Sequence, residues 1–159
     1  MREILFRGKR VDNGEWVVGS LLWLESGRAM IIPSHTNIFG CDIDDMDESI
    51  IQTVAHRVIP ETVGQYTGLT DKNGAKIFEG DIVKEYLESL KEIGFNKGFD
   101  FGKVFWYSKD VQFLRTSKVF IDDAAILSDS HKYEVISNIH DNPELLEGVR
   151  NEVNNNESN

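Results

Sequence analysis

The sequence predicts a mainly β protein of the α+β class, built on an antiparallel, barrel-like sheet with two short helices. The first observation is a pair of hairpin turns at Asn13-Gly14 and Asn73-Gly74, residue types that tolerate positive φ at both central turn positions. The second is that β-branched and aromatic residues dominate the segments flanking these turns. The third is that signals for a helix are confined to two short stretches, a helical spacing of apolar residues in one and an Asn-Pro start in the other.

The beginning of the chain indicates an antiparallel β-meander. Residues 2–10 alternate weakly between apolar and polar side chains, and the Asn13-Gly14 turn leads into Trp16–Leu24. That segment is too apolar for a strand with one face in water, so we expect it to lie centrally in the sheet. A turn at Glu25–Gly27 and a partner strand at Ala29–Ile32, stopped by Pro33, complete the meander.

The middle of the chain combines an acidic loop with further strands. Five acids fall within residues 42–48, where the apolar pattern disappears and we expect an exposed loop. Residues 50–59 return to β-forming types, and a strand is expected over Glu61–Gly68, followed by the Asp71–Gly74 turn. A glycine bend at Glu79–Asp81 leads into the next strand.

Two helices are predicted in the second half. Leu87, Leu90 and Ile93 stand at helical spacing and Gly94 follows them, which predicts an amphipathic helix over about 85–93. Asn142-Pro143 supplies an N-cap and a first helical residue, which predicts a helix over about 143–149. Strands between the two helices are expected at Val104–Tyr107, Val111–Thr116, Lys118–Ile121 and Tyr133–Ile139.

Composition bounds the class of protein. A chain of 159 residues is the size of one domain, and its formal net charge of -10 favours solubility. Cys41 is the only cysteine, which excludes an internal disulfide and fits a reducing compartment. The charged start, Met1-Arg2-Glu3, lacks the apolar run of a signal peptide, and no apolar stretch is long enough to cross a membrane. We therefore expect a cytoplasmic protein without membrane contact.

The sequence predicts no catalytic residue, no metal site and no cofactor. If Asp42 opened a calcium-binding loop, the fifth position would be Met46 and the required glycine would be Asp47. The four histidines are widely separated, and Cys41 adjoins acids that would raise its thiol pKa. Glu79 and Asp81 could form a carboxylate pair, but capping of a turn is the preferred role for Asp81.

One region supports an alternative as a nucleic-acid-binding module. Between residues 95 and 120 five basic residues are opposed by two aspartates and alternate with eight aromatic residues, as on small barrels that stack bases. The candidate contacts are Lys103, Lys109, Arg115, Lys118, Trp106 and Tyr107. The overall negative charge argues against nucleic acid as a partner. A further alternative is an acidic decoy that imitates DNA.

Three stretches carry a family resemblance. They are REILFRGKRVDNGEWVVGSL at the start, PETVGQYTGLTDKNG followed by IFEGDIV in the centre, and EVISNIHDNPELL near the end. Together they resemble the YopX-like family of bacteriophage and prophage proteins. The resemblance implies a single β-rich domain over 1–149 with an insertion at about 85–100, and it implies no cofactor or catalytic residue. Residues 150–159, almost without apolar content, are predicted to form a disordered tail.

The predicted function follows from the absence of a reaction centre and from the resemblance. We expect a non-enzymatic phage or prophage accessory protein in the bacterial host cytoplasm that acts through protein–protein contacts. Its expected partners are further copies of itself, in a homo-oligomer, and a host or phage protein.

Overall fold

The structure, a computed structural model, describes residues 3–34, 36, 53–86, 99–107, 112–116, 124–126 and 132–146. Within these ranges the chain forms two antiparallel sheets. The strands are β1 (Phe6–Lys9), β2 (Trp16–Trp23), β3 (Ala29–Pro33), β4 (His56–Val58), β5 (Gly64–Thr70), β6 (Lys76–Phe78), β7 (Asp81–Tyr86), β8 (Phe99–Tyr107), β9 (Gln112–Thr116), β10 (Ala124–Ile126) and β11 (Tyr133–Asn138).

The sheets are open rather than closed into a barrel. The strand order is β4-β3-β2-β1-β5-β6 in the six-stranded sheet and β10-β9-β8-β7-β11 in the five-stranded sheet. The prediction of a mainly antiparallel β fold is confirmed, and the prediction of a barrel-like sheet is wrong. Turn residues determine which neighbouring strands pair, whereas closure depends on distant strands meeting at the sheet ends.

The two predicted helices are not supported. Glu85 and Tyr86, expected to begin the first helix, belong to β7, where Glu85 pairs with Tyr133 on one side and Asp100 on the other. Strand pairing on both sides overrides a weak local helical preference. The rest of that prediction, residues 87–93, lies outside the described residues. Where the second helix was predicted, the chain forms a short 3-10 helix at Pro143–Leu146. Residues 147–149 lie outside the described part.

The chain forms two compact units, Met1–Tyr66 and Thr67–Asn159. In the first, the meander is confirmed: β2 pairs with β1 and β3, and the β1–β2 turn has Gly14 at φ 74°. Its core contains Val17, Ala29, Ile31 and Val58, with Phe6, Leu21 and Val63 packed against them. These residues occupy one face of the meander, as the two-residue period of strands requires.

The second unit contains the end of β5 from Thr67, β6 and the five-stranded sheet. The predicted turn between β5 and β6 is confirmed, with Gly74 at φ 84°. Ile77, Val83, Val104 and Tyr133 form its core, with Leu69 and Val135 packed against them. No helix in the described ranges has the length and hydropathy needed to span a bilayer.

Candidate interaction surface

Asp71, in the central turn, is a structural carboxylate. It is 3% exposed, and its Oδ1 accepts hydrogen bonds from the backbone N–H groups of Asn73 at 2.8 Å and Ala75 at 2.9 Å. Its Oδ2 accepts the N–H of Val135 at 3.0 Å, and the Lys72 N–H donates to the Tyr133 carbonyl. The turn therefore forms hydrogen bonds with the edge of β11 that faces away from β7.

The hydrogen bonds to Asp71 also determine its titration. Burial alone would raise the pKa of its carboxyl, but the N–H groups of Val135, Ala75 and Asn73, together with the Lys72 charge, hold that pKa below its ordinary value.

We expect aspartate at position 71 to give a higher free energy of unfolding than asparagine, by an amount that depends on pH. Because the folded-state pKa is depressed, the stabilisation should be complete above the unfolded pKa of about 3.9 and disappear as pH falls through the folded-state pKa. Urea unfolding of the protein and of Asp71→Asn, between about pH 7 and about pH 2, measures this difference. A difference that stays constant to the lowest pH would contradict the assignment.

Asp81 and Asn138 cap two further turns in the described part of the second unit. Asp81 is 1% exposed and its Oδ2 accepts the Phe78 N–H at 2.7 Å, as expected for turn capping. Asn138 Oδ1 accepts the N–H groups of His140 and Asp141, both at 3.0 Å. In the described part of the chain no group of three or more histidine, cysteine, aspartate or glutamate side chains could hold a metal ion. Cys41 and the acidic run at 42–48 lie outside it.

A different kind of surface lies on the first unit. Arg7 is opposite Val18 and Lys9 is opposite Trp16 in the β1–β2 pair. Past the end of β1, an isolated bridge joins Arg10 to Val58. The Ile59 N–H donates to the Lys9 carbonyl at 2.8 Å and the Val11 N–H to the Arg57 carbonyl at 3.0 Å.

These pairings place seven residues on one side of the sheet. Side chains two apart on a strand, and side chains directly opposite on neighbouring strands, share a face. The intervening Gly8 and Val58 face the other side: a Cβ added to Gly8 would lie 2.9 Å from the Val58 Cβ. We call these seven residues the cationic face; they are Arg7, Lys9, Val11, Trp16, Val18, Arg57 and Ile59.

Trp16 orders two of the cations on this face. The Arg7 guanidinium carbon lies 4.8 Å from the Trp16 ring centroid and the Lys9 ammonium 5.6 Å from it. Such contacts stabilise by about 0.5–1 kcal/mol each at exposed sites. Val11 is 52% and Ile59 38% exposed, and Arg57 is exposed as well. The face therefore combines positioned cations with aliphatic side chains open to solvent.

Only part of this face is apparent from the sequence. Arg7 and Lys9 belong to the basic beginning of the chain, but Arg57 joins them only because the Arg10–Val58 bridge brings β4 to the end of β1. The alternation Arg7, Lys9, Val11 is the signal that could have indicated that these side chains share one side of the sheet.

The residues predicted for nucleic-acid contact are partly described. Lys103 lies in β8 opposite Ile82 and is half-buried. Trp106 and Tyr107 also lie in β8, and Arg115 lies in β9 opposite Val104. Lys109 and Lys118 lie outside the described residues. Pairing of β8 with β9 thus brings two of the predicted segments together, and their role stays a prediction.

Comparison with known proteins identifies the family. A family model described as YopX protein matches residues 5–147. The crystal structure of protein EF1440 from Enterococcus faecalis is similar, with a TM-score of 0.55 and 24% identity over 92% of this chain and 99% of that one. This similarity shows a shared fold, and a comparison with curated proteins found no match. Since the family model covers nearly the whole chain, the protein belongs to the YopX family.

Proposed function

We propose that the protein is a non-enzymatic accessory protein of phage or prophage origin. It acts in the cytoplasm of the bacterial host through protein–protein contacts, as a homo-oligomer. The side chains at the central and C-terminal turns support a non-enzymatic role, because Asp71, Asp81 and Asn138 each hold backbone N–H groups. The accepting oxygens, both of Asp71, Oδ2 of Asp81 and Oδ1 of Asn138, are thereby engaged in folding the chain.

The observation that carries the proposal is the exposure of large apolar side chains. Among the described residues these are Ile4 at 67%, Val11 at 52%, Trp23 at 58% and Ile59 at 38%, all in the first unit. Burying such groups on another chain is favourable by about 25 cal/mol per Å². Tryptophan in particular is enriched at the centres of protein interfaces.

We expect the purified protein to be a homo-oligomer at tens of micromolar. Multi-angle light scattering coupled to size-exclusion chromatography, over a concentration series, measures its mass against the 18.1 kDa chain. A single species of two or more subunits supports the proposal. A monodisperse monomer at every concentration would reject the homo-oligomer.

A nucleic-acid-binding module using residues 95–120 is the second candidate. It is supported by the pairing of β8 with β9, which places the strand of Lys103, Trp106 and Tyr107 beside the strand of Arg115. Fluorescence anisotropy with single- and double-stranded oligonucleotides tests it. Binding that weakens with salt and is lost on replacing Lys103, Lys109 and Arg115 would favour this candidate.

A further inference from the structure

We infer that the end of the β2–β3 hairpin, Trp23–Arg28, forms a two-fold contact between two copies of the chain. The inference rests on the proposed homo-oligomer and names the surface through which its subunits meet. It is carried by an exposed tryptophan at the last residue of β2, next to a turn with one acidic and one basic side chain. These are Glu25 and Arg28, which are both exposed and stand three positions apart.

Trp23 extends the buried side of β2 into solvent. The two-residue period of the strand puts it on the same side as Val17 and Leu21, which belong to the core of the first unit. Its partner in β3, Ala29, is buried, whereas Trp23 itself is 58% exposed. A second chain can therefore cover the indole without any rearrangement of the core. Tryptophan is also among the residues whose burial dominates the energy of protein interfaces.

The turn after Trp23 holds its side chains in a fixed arrangement. The Gly27 N–H donates to the Leu24 carbonyl and the Leu24 N–H donates to the Arg28 carbonyl, both at 2.9 Å. Gly27 has φ 78°, the left-handed conformation that ends a three-residue hairpin loop. The Arg28 Nε donates to the Ser26 Oγ at 3.0 Å. A surface whose geometry is set before binding loses less conformational entropy on association.

Glu25 and Arg28 are available for contacts with another chain. Within the described residues Glu25 forms no hydrogen bond or ion pair, and Arg28 uses its Nε alone. The terminal nitrogens of the Arg28 guanidinium can therefore donate to the oxygens of a carboxylate from a second chain. One acid and one base also leave this turn without net charge, which disfavours a phosphate backbone as its partner.

The opposite charges make the hairpin end complementary to itself. In a two-fold contact, a residue of one copy that meets a different residue of the second copy is repeated in reverse across the axis. Glu25 of each chain then faces Arg28 of the other, at two equivalent places. The same arrangement brings the two Trp23 rings together at the axis, where offset stacking of aromatic rings is favourable. A second copy of the chain thus satisfies all three side chains at once.

The test exchanges the two charges. Glu25→Arg and Arg28→Glu each place like charges across the axis. We expect the dissociation constant for self-association, measured by sedimentation equilibrium, to rise at least about 10-fold in each variant. An equimolar mixture of the two variants pairs every arginine with a glutamate, and so does the double variant Glu25→Arg/Arg28→Glu. Both the mixture and the double variant should associate as the unmodified protein does.

Trp23→Ala tests the apolar part of the contact. We expect its dissociation constant to rise at least about 30-fold, because a tryptophan at the centre of an interface is among the costliest residues to truncate. The matched control is Glu15→Arg, which changes the net charge as Glu25→Arg does, at an exposed position at the other end of β2. It should associate as the unmodified protein does. Circular dichroism verifies the fold of each variant.

The outcomes separate this contact from the proposed homo-oligomer. An oligomer that persists unchanged in Glu25→Arg, Arg28→Glu and Trp23→Ala would overturn the contact and leave the homo-oligomer in place. A mixture of the two charge variants that fails to recover association would overturn the contact as well, and so would equal weakening by Glu15→Arg. An unmodified protein that is monomeric throughout would reject the homo-oligomer and this contact with it.

Discussion

Asp71→Ala is expected to lower the free energy of unfolding by about 3–5 kcal/mol. The substitution removes the acceptor of three backbone N–H groups, those of Asn73, Ala75 and Val135, at a site that is 3% exposed. Each buried donor left without an acceptor costs about 1–3 kcal/mol, and partial access of water reduces the sum. The turn would also lose a bond to a strand 64 residues away in sequence.

Urea unfolding monitored by circular dichroism measures this effect. Asp71→Asn should be intermediate, because one oxygen can still accept two N–H groups while the amide nitrogen cannot accept the third. Asp12→Ala is the control: Asp12 pairs with Arg10 at an exposed site and its loss should have little effect. If Asp71→Ala were no more destabilising than Asp12→Ala, the role given to Asp71 would be wrong.

Gly19→Ala is expected to destabilise the first unit by about 3 kcal/mol or more. Gly19 lies in β2 between Phe6 of β1 and Pro33 of β3. A Cβ at this position would overlap the carbonyl oxygen of Ile32 and lie 2.9 Å from the Pro33 Cα. Both are backbone atoms, so the added methyl group can be accommodated only if β2 and β3 separate and lose their pairing.

The control for this substitution is Gly27→Ala. Gly27 has φ 78° and no atom within 4 Å of an added Cβ, so the cost there is conformational, about 1–2 kcal/mol. Thermal unfolding of the two variants separates steric overlap from backbone strain. A larger loss of stability in Gly27→Ala than in Gly19→Ala would contradict this prediction. It would show that β2 and β3 can move apart at Gly19 at a smaller cost than the overlap indicates.

Prediction from the sequence succeeded for the hairpin turns and failed for the closure of the sheet into a barrel. The turns at Asn13-Gly14 and Asn73-Gly74 were predicted correctly because their backbone conformation is dictated by the residues at the turn. The apolar segment Trp16–Leu24 was predicted to lie centrally in the sheet, and the structure has a strand at Trp16–Trp23 with neighbours on both sides. The helix expected from 85 failed at Glu85 and Tyr86, because strand pairing outweighed a helical spacing of two leucines and one isoleucine. Glu85 pairs with Tyr133 and Asp100, and Tyr86 pairs with Phe99.

The cationic face could be predicted from the sequence only in part. Arg7 and Lys9 were visible as basic residues, but a basic residue on a strand can lie on either side of the sheet until the register is known. Arg57 follows Lys9 by 48 positions, and no local pattern indicates that the two share a face. The ordering of both Arg7 and Lys9 by Trp16 depends on the β1–β2 register, which places Trp16 opposite Lys9.

The sequence by itself determined the β class, the positions of the hairpin turns and the family, since these depend on residues close together in the chain or on their order. Only the tertiary structure decided that the sheets stay open, that Asp71 bonds Val135, and that Arg57 joins Arg7 and Lys9 on one face. The physical reason is that these contacts join distant segments, whose meeting depends on the register and packing of whole sheets.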